Sequence, residues 1–99
     1  MQIIVKRRLQ EFWVHHPCSE PALREWFARV SKAEWTGPED VKSMFGKGLD
    51  FVGDNRIIFD IRRNEFRLIV HVAYAYRRVL IKFVGTHAEY DRINPEIVS

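Results

Sequence analysis

A chain of 99 residues, 46% hydrophobic and 29% charged, suits one domain with its own core and excludes a disordered or fibrous class. MQIIVKRRLQ at the start has too short an apolar run for a secretory leader, and no stretch approaches bilayer length, so a cytoplasmic protein without a membrane partner is expected. The single Cys18 leaves no internal disulfide and fits a reducing compartment. The net charge of +3 is unevenly spread. Between Asn55 and Arg92 stand eight basic residues, seven of them arginine, against four acidic ones. Arginine forks match phosphate oxygens and stack on bases, which points to a nucleic-acid surface. A solvated sheet edge with charged turns explains the charge equally well.

Gln2–Val5 is short, apolar and β-branched, and reads as a first strand. Leu9, Phe12, Trp13 and His16 then fall on one face of a helix that Pro17 ends. Ser19 is the expected N-cap of a second helix, with Glu20 and Pro21 in its first turn and Leu23, Trp26, Phe27 and Val30 on its apolar face. Gly37-Pro38 opens a third, shorter helix with Glu39 and Asp40 at its positive end and Gly46 at its stop. Trp13, Trp26 and Trp35 all lie in this helical half, where core packing is a better account than base stacking.

In the second half the period becomes two. RIIFDI (56–61) sets Ile57, Phe59 and Ile61 against Arg56, Ile58 and Asp60, and RRNE makes a turn. FRLIVHVAY (66–74) sets Phe66, Leu68, Val70, Val72 and Tyr74 against Arg67, Ile69, His71 and Ala73. After a turn at YRR (76–78), VLIKFVG (79–85) sets Val79, Ile81 and Phe83 against Leu80, Lys82 and Val84. The expected fold class is α+β: an antiparallel meander covered on one face by the helices, with Arg67, His71 and Lys82 on the other.

The stretch VGTHAEYD (84–91) follows. Thr86 and Glu89 have capping-box spacing, which predicts a short helix from Thr86, ending before Pro95. His87 and Tyr90 then become neighbours on one helical face, with roughly 5–6 Å between Cβ atoms. The helix amides favour a phosphate near His87. The alternative is that Thr86 and Glu89 merely cap, Tyr90 packs on the sheet and His87 is an exposed surface residue.

FRLIVHVAYAYRRVLIKFVGTHAEYDRI closely resembles the C-terminal half of HigB-type toxins of bacterial type II toxin–antitoxin modules. HPCSEPALREWFARVSKAEWTGPEDVKSMF resembles their helical half, and GDNRIIFDIRRNEFRL their joining hairpin, so the resemblance spans almost the whole chain. It implies a single RelE-like domain over residues 1–99, with a microbial-ribonuclease fold ending in a short C-terminal helix. It also implies a ribosome-dependent mRNA endonuclease that meets messenger RNA and ribosomal RNA on the ribosome, and a HigA-like helix-turn-helix antitoxin that neutralises it. Arg67 matches the hairpin arginine of these toxins, and Lys82, His87 and Tyr90 match the motif at the end of their sheet.

The residue types suit that chemistry. RNA is cut without metal when its own 2′-hydroxyl attacks the neighbouring phosphate. The protein must then move protons and stabilise a negative phosphorane. Arg67 and Lys82, expected on one face, supply charge. His87 is of the residue type best suited to proton transfer. Tyr90 orients the phosphate or stacks on a base. Arg56, His71, Arg77, Arg78 and Arg92 are candidate RNA contacts, or else solvated strand and turn residues. No cofactor is expected. Two-metal catalysis needs clustered carboxylates, and the meander strands carry only Asp60 in their interiors. His15, His16 and Cys18 lack zinc-ligand spacing. The competing readings are a non-catalytic RNA- or ribosome-binding module and a protein-interaction domain that uses its sheet edge.

Overall fold

In the computed structural model, which describes residues 1–98, the chain runs β1 (Gln2–Ile4), α1 (Lys6–His15), α2 (Glu20–Ser31), α3 (Pro38–Phe45), β2 (Leu49–Val52), β3 (Arg56–Ile61), β4 (Phe66–Ala73), β5 (Arg78–Thr86) and α4 (His87–Tyr90). The five strands form one sheet in the order β1-β5-β4-β3-β2. The expected meander is its antiparallel centre, and the α+β class holds. Two features lie outside the expectation. β2 adds an antiparallel edge strand, and β1 joins the opposite edge in parallel, pairing Gln2 to Ile4 with Arg78 to Leu80 of β5. β1 stops at Ile4 because Val5 turns into the left-handed region at φ 68° to start α1. That is a strained conformation for a β-branched residue.

The core lies between the sheet and the first three helices. Leu9, Leu23, Trp26, Val30, Trp35 and Val41 meet Ile57, Phe59, Ile61, Phe66, Leu68, Val70, Val72, Val79 and Ile81. All three tryptophans are buried there, as the helical spacing implied. Gly37 and Gly46 bound α3 as expected, with Gly46 at φ 69°. Ser19 does not cap α2: its hydroxyl turns back to donate to the His16 carbonyl at 2.7 Å, closing the short helical turn after Pro17.

A bulge in β5 changes which residues share a face. The pairing with β4 runs from Ile69↔Phe83 directly to Val70↔Ile81, leaving Lys82 without a partner. One unpaired residue reverses the alternation beyond it. Val84 therefore packs against the helical core, whereas Phe83 joins the opposite face beside Gly85. A β-carbon at Gly85 would stand only 2.5 Å from the Phe83 ring, so the glycine makes room for the aromatic residue.

The face turned away from the helices is not bare. Ile58 and Ile69, paired across β3 and β4, are both buried on it. The segment after α4 returns across this face. The Arg56 guanidinium fastens it, with Nη1 donating to the carbonyls of Pro95, at 3.1 Å, and Val98.

Candidate functional site

α4 is short, and the sequence shows why it stands where it does. The Thr86 hydroxyl accepts from the Glu89 amide at 3.2 Å, and the Glu89 carboxylate accepts from the Thr86 amide at 2.8 Å. The expected capping box is complete. The His87 amide donates to the carbonyl of Glu65 in the β3–β4 turn at 3.2 Å, which ties the helix to the sheet end. These bonds also occupy amides of the first turn. Of the amides expected to favour a phosphate, that of Glu89 is taken by the cap and that of His87 by Glu65.

At this end of the sheet five side chains form a chain of contacts. Asp60 on β3 and Arg67 on β4 face one another directly in the strand register and form an ion pair. The Arg67 guanidinium lies 5.3 Å from the centre of the Tyr90 ring, within cation–π range. Tyr90 and His87 meet edge to face with ring centres 6.4 Å apart. His87 Nδ1 stands 3.3 Å from the carboxylate of Asp91. A proton held on Nδ1 towards Asp91 leaves Nε2 as the free acceptor of the neutral ring. Tyr90 is half-buried and His87 exposed, so the cluster faces solvent while resting on the sheet.

Three of the four residues expected to carry chemistry are thus together: Arg67, His87 and Tyr90. Lys82 is not. Its expected place on the Arg67 face does not bring it to the cluster, because at the bulge it has no cross-strand partner on β4. Gly85, not Lys82, stands opposite Arg67, and three residues of strand amount to roughly 10 Å. Lys82 instead lines a groove of about 400 Å³ along the β5 edge with Arg8, Glu11, Phe12 and His15 of α1. Arg8 donates to the Lys82 carbonyl at 2.8 Å, satisfying an edge acceptor that β1 does not reach.

The expected RNA contacts scatter. Arg56 is corrected outright. It is 7% exposed, its guanidinium holds the C-terminal segment, and its Nε has no partner. It offers nothing to a ligand while that segment stays in place. His71 is half-buried opposite Arg56. Arg77 and Arg78 are exposed at the far end of β4 and β5, where Arg77 pairs with Glu34 at 3.4 Å. Six residues of β4 separate that end from Arg67, roughly 20 Å. Arg92 is exposed just beyond α4, the one expected contact on this side.

Two residues of the cluster were not singled out from the sequence. Asp91 had a signal, the i, i+4 spacing from His87 on one helix. Asp60 had one too, since a tight turn at 62–65 makes it the cross-strand partner of Arg67. No group of three or more His, Cys, Asp or Glu among the described residues is arranged to hold a metal ion. Nor is any described helix long and apolar enough to cross a membrane.

Residues 19–93 match the model of a family described as HigB_toxin, RelE-like toxic component of a toxin–antitoxin system. The chain is 26% identical over 94 residues to a protein of Escherichia coli O6:H1 (strain CFT073) named mRNA interferase HigB, covering 94% of this chain and 91% of that one. It is also 26% identical over 92 residues to mRNA interferase toxin HigB of Escherichia coli K12, covering 92% and 88%. The mRNA interferase HigB of Shigella flexneri matches to the same extent.

Proposed function

The chain belongs to the HigB family of RelE-like toxins, and from that premise we propose that it is an endoribonuclease that cuts messenger RNA on translating ribosomes and is held in check by a cognate antitoxin. The relatives named mRNA interferase cover nearly all of the chain, which supports the activity. The observation that carries the reading is the convergence of Arg67, Tyr90 and His87 at one end of the sheet.

In this mechanism the 2′-hydroxyl of the RNA attacks the adjacent phosphorus. The P–O5′ bond breaks, and a 2′,3′-cyclic phosphate and a 5′-hydroxyl result. His87 exchanges a proton at Nε2, with Asp91 keeping the other nitrogen protonated. Arg67 faces the charge that builds on the phosphorane. Tyr90 presents a ring to a base or a hydroxyl to the phosphate. Arg92 lies beside the site, and the cationic edge groove of Arg8, His15 and Lys82 can follow the RNA backbone. The antitoxin is expected to be a HigA-like helix-turn-helix protein, and the cytoplasm the place of action.

A reconstituted translation reaction tests this. Purified protein is added to ribosomes elongating on a defined messenger, and breaks are mapped by primer extension. New breaks within the translated frame are expected. Ribosome occupancy with an intact messenger would instead establish the non-catalytic binding module.

A further inference from the structure

Asp60 and Asp50 are acidic strand residues on the sheet face that carries Arg67, and Asp60, the one opposite Arg67, has no task in the mechanism above. Among the described residues its pair with Arg67 is the least exposed ion pair, at 33% for Asp60 and 15% for Arg67. Most of the other carboxylate pairs join neighbours one helical turn apart, and in each of them at least one side chain is more than half exposed. Such exposed pairs contribute little. The Asp60–Arg67 pair instead crosses two strands in exact opposition of register, with a rigid backbone under each partner. The Asp60 amide is itself bound to the Gly48 carbonyl at 2.8 Å, which steadies β3 beside the residue just before β2.

We propose that Asp60 is the positioning residue for Arg67. It pins the guanidinium against the Tyr90 ring before RNA arrives and partly neutralises it, so that the cation is spent on the reacting phosphate and not on loose binding. This rests on the reading of Arg67 as the cation that faces the phosphorane. A free arginine side chain has many rotamers, and ordering it during the reaction would add to the barrier. Here the order is built in from two sides, a carboxylate on β3 and an aromatic ring on α4. One carboxylate does not exhaust a guanidinium, which has five N–H donors, so donors remain for a phosphate oxygen. Asp60 is not placed to act as the base, because its Oδ1 is engaged by Arg67.

The two roles of Asp60 give a signature that a structural residue lacks. Asp60→Asn keeps the shape, removes the charge and frees the guanidinium. Messenger binding should stay the same or tighten, because a negative charge near the RNA is gone. Turnover should fall, because Arg67 is no longer preset. The experiment measures kcat and KM for messenger cleavage on translating ribosomes, affinity for ribosomes programmed with a 2′-O-methylated messenger, and thermal unfolding. The proteins are the wild type, Asp60→Asn, Arg67→Ala and the double variant. The expected result for Asp60→Asn is a kcat lower by about 10–100-fold with affinity unchanged or tighter. The double variant should be no slower than Arg67→Ala alone, since Asp60 acts through Arg67. Wild-type turnover in Asp60→Asn overturns the proposal. So does weakened binding together with a lowered unfolding temperature, which marks a structural residue, or a double variant whose loss is the product of the two single losses. If Arg67→Ala itself cleaves at the wild-type rate, the reading of Arg67 fails first, and the proposal falls with it.

Discussion

Arg67 and Leu68 are neighbours in β4 that point to opposite faces, and replacing each by alanine separates chemistry from folding. Leu68 is fully buried in the core. Truncation removes its methyl groups and leaves a cavity, for a loss of about 2–5 kcal/mol. In a domain of this size each kcal/mol moves the unfolding temperature by roughly 4–8 °C, so a drop of at least about 8 °C is expected. Arg67→Ala removes the pair with Asp60 and the stacking on Tyr90. Asp60 stays one-third exposed and can be rehydrated, so the pair contributes no more than about 1 kcal/mol and the stacking a similar amount. The stability loss should be about 1–2 kcal/mol. Loss of one preorganised donor at a developing anion lowers the rate by about 10²–10³-fold. The assays are thermal unfolding and messenger cleavage, scored at a temperature where both variants are folded. There Leu68→Ala should cleave at nearly the wild-type rate and Arg67→Ala hardly at all. If Arg67→Ala unfolds as readily as Leu68→Ala, Arg67 is a structural residue and the cluster around it is not the active face.

Arg56→Ala should lose about 2–4 kcal/mol through the two carbonyls it leaves unbound and should raise amide exchange over residues 94–98, whereas unchanged exchange there would dismiss the clasp. Thr86→Ala should remove half of the capping box, weaken α4 by about 1 kcal/mol and cut cleavage by displacing His87 and Tyr90, while global unfolding moves little. Asp40 is held below the ordinary carboxylate range, first by the Thr36 backbone amide and then by the Thr36 hydroxyl. Because its folded value lies below the unfolded one, its contribution to stability is present above the unfolded value and is lost as pH falls through the folded one. Its titration followed by NMR should be low in the wild type and rise only in part in Thr36→Ala, which removes the hydroxyl and keeps the backbone amide.

The elements that depend on local pattern were legible. The helical spacing from Leu9 to His16, the Gly37-Pro38 start and the Thr86–Glu89 box each hold their information within a few residues, and each appears as read. The features that were missed are those that need a partner strand. The bulge at Lys82 leaves VLIKFVG fitting an unbroken alternation, so only the register against β4 reveals that Phe83 and Val84 exchange faces and that Lys82 has no partner on β4. The parallel seat of β1 and the pairing of β2 are likewise set by tertiary contacts and not by propensity. Arg56 looked like a surface cation because the chain that buries it is some forty residues away in sequence. His87 and Tyr90 could be placed together because one helical turn does it, and Arg67 joined them through the resemblance together with its alternation in β4.

The central claim is that this cluster cuts RNA with the RNA's own 2′-hydroxyl. The most direct test is the chemistry of the ends. Fragments produced on translating ribosomes by the wild-type protein, with His87→Ala as the control, should be analysed for their terminal groups. The account predicts 2′,3′-cyclic phosphate at the upstream ends and 5′-hydroxyl at the downstream ends, with both nearly absent for His87→Ala. Upstream 3′-hydroxyl and downstream 5′-phosphate ends, or wild-type yields from His87→Ala, would contradict it.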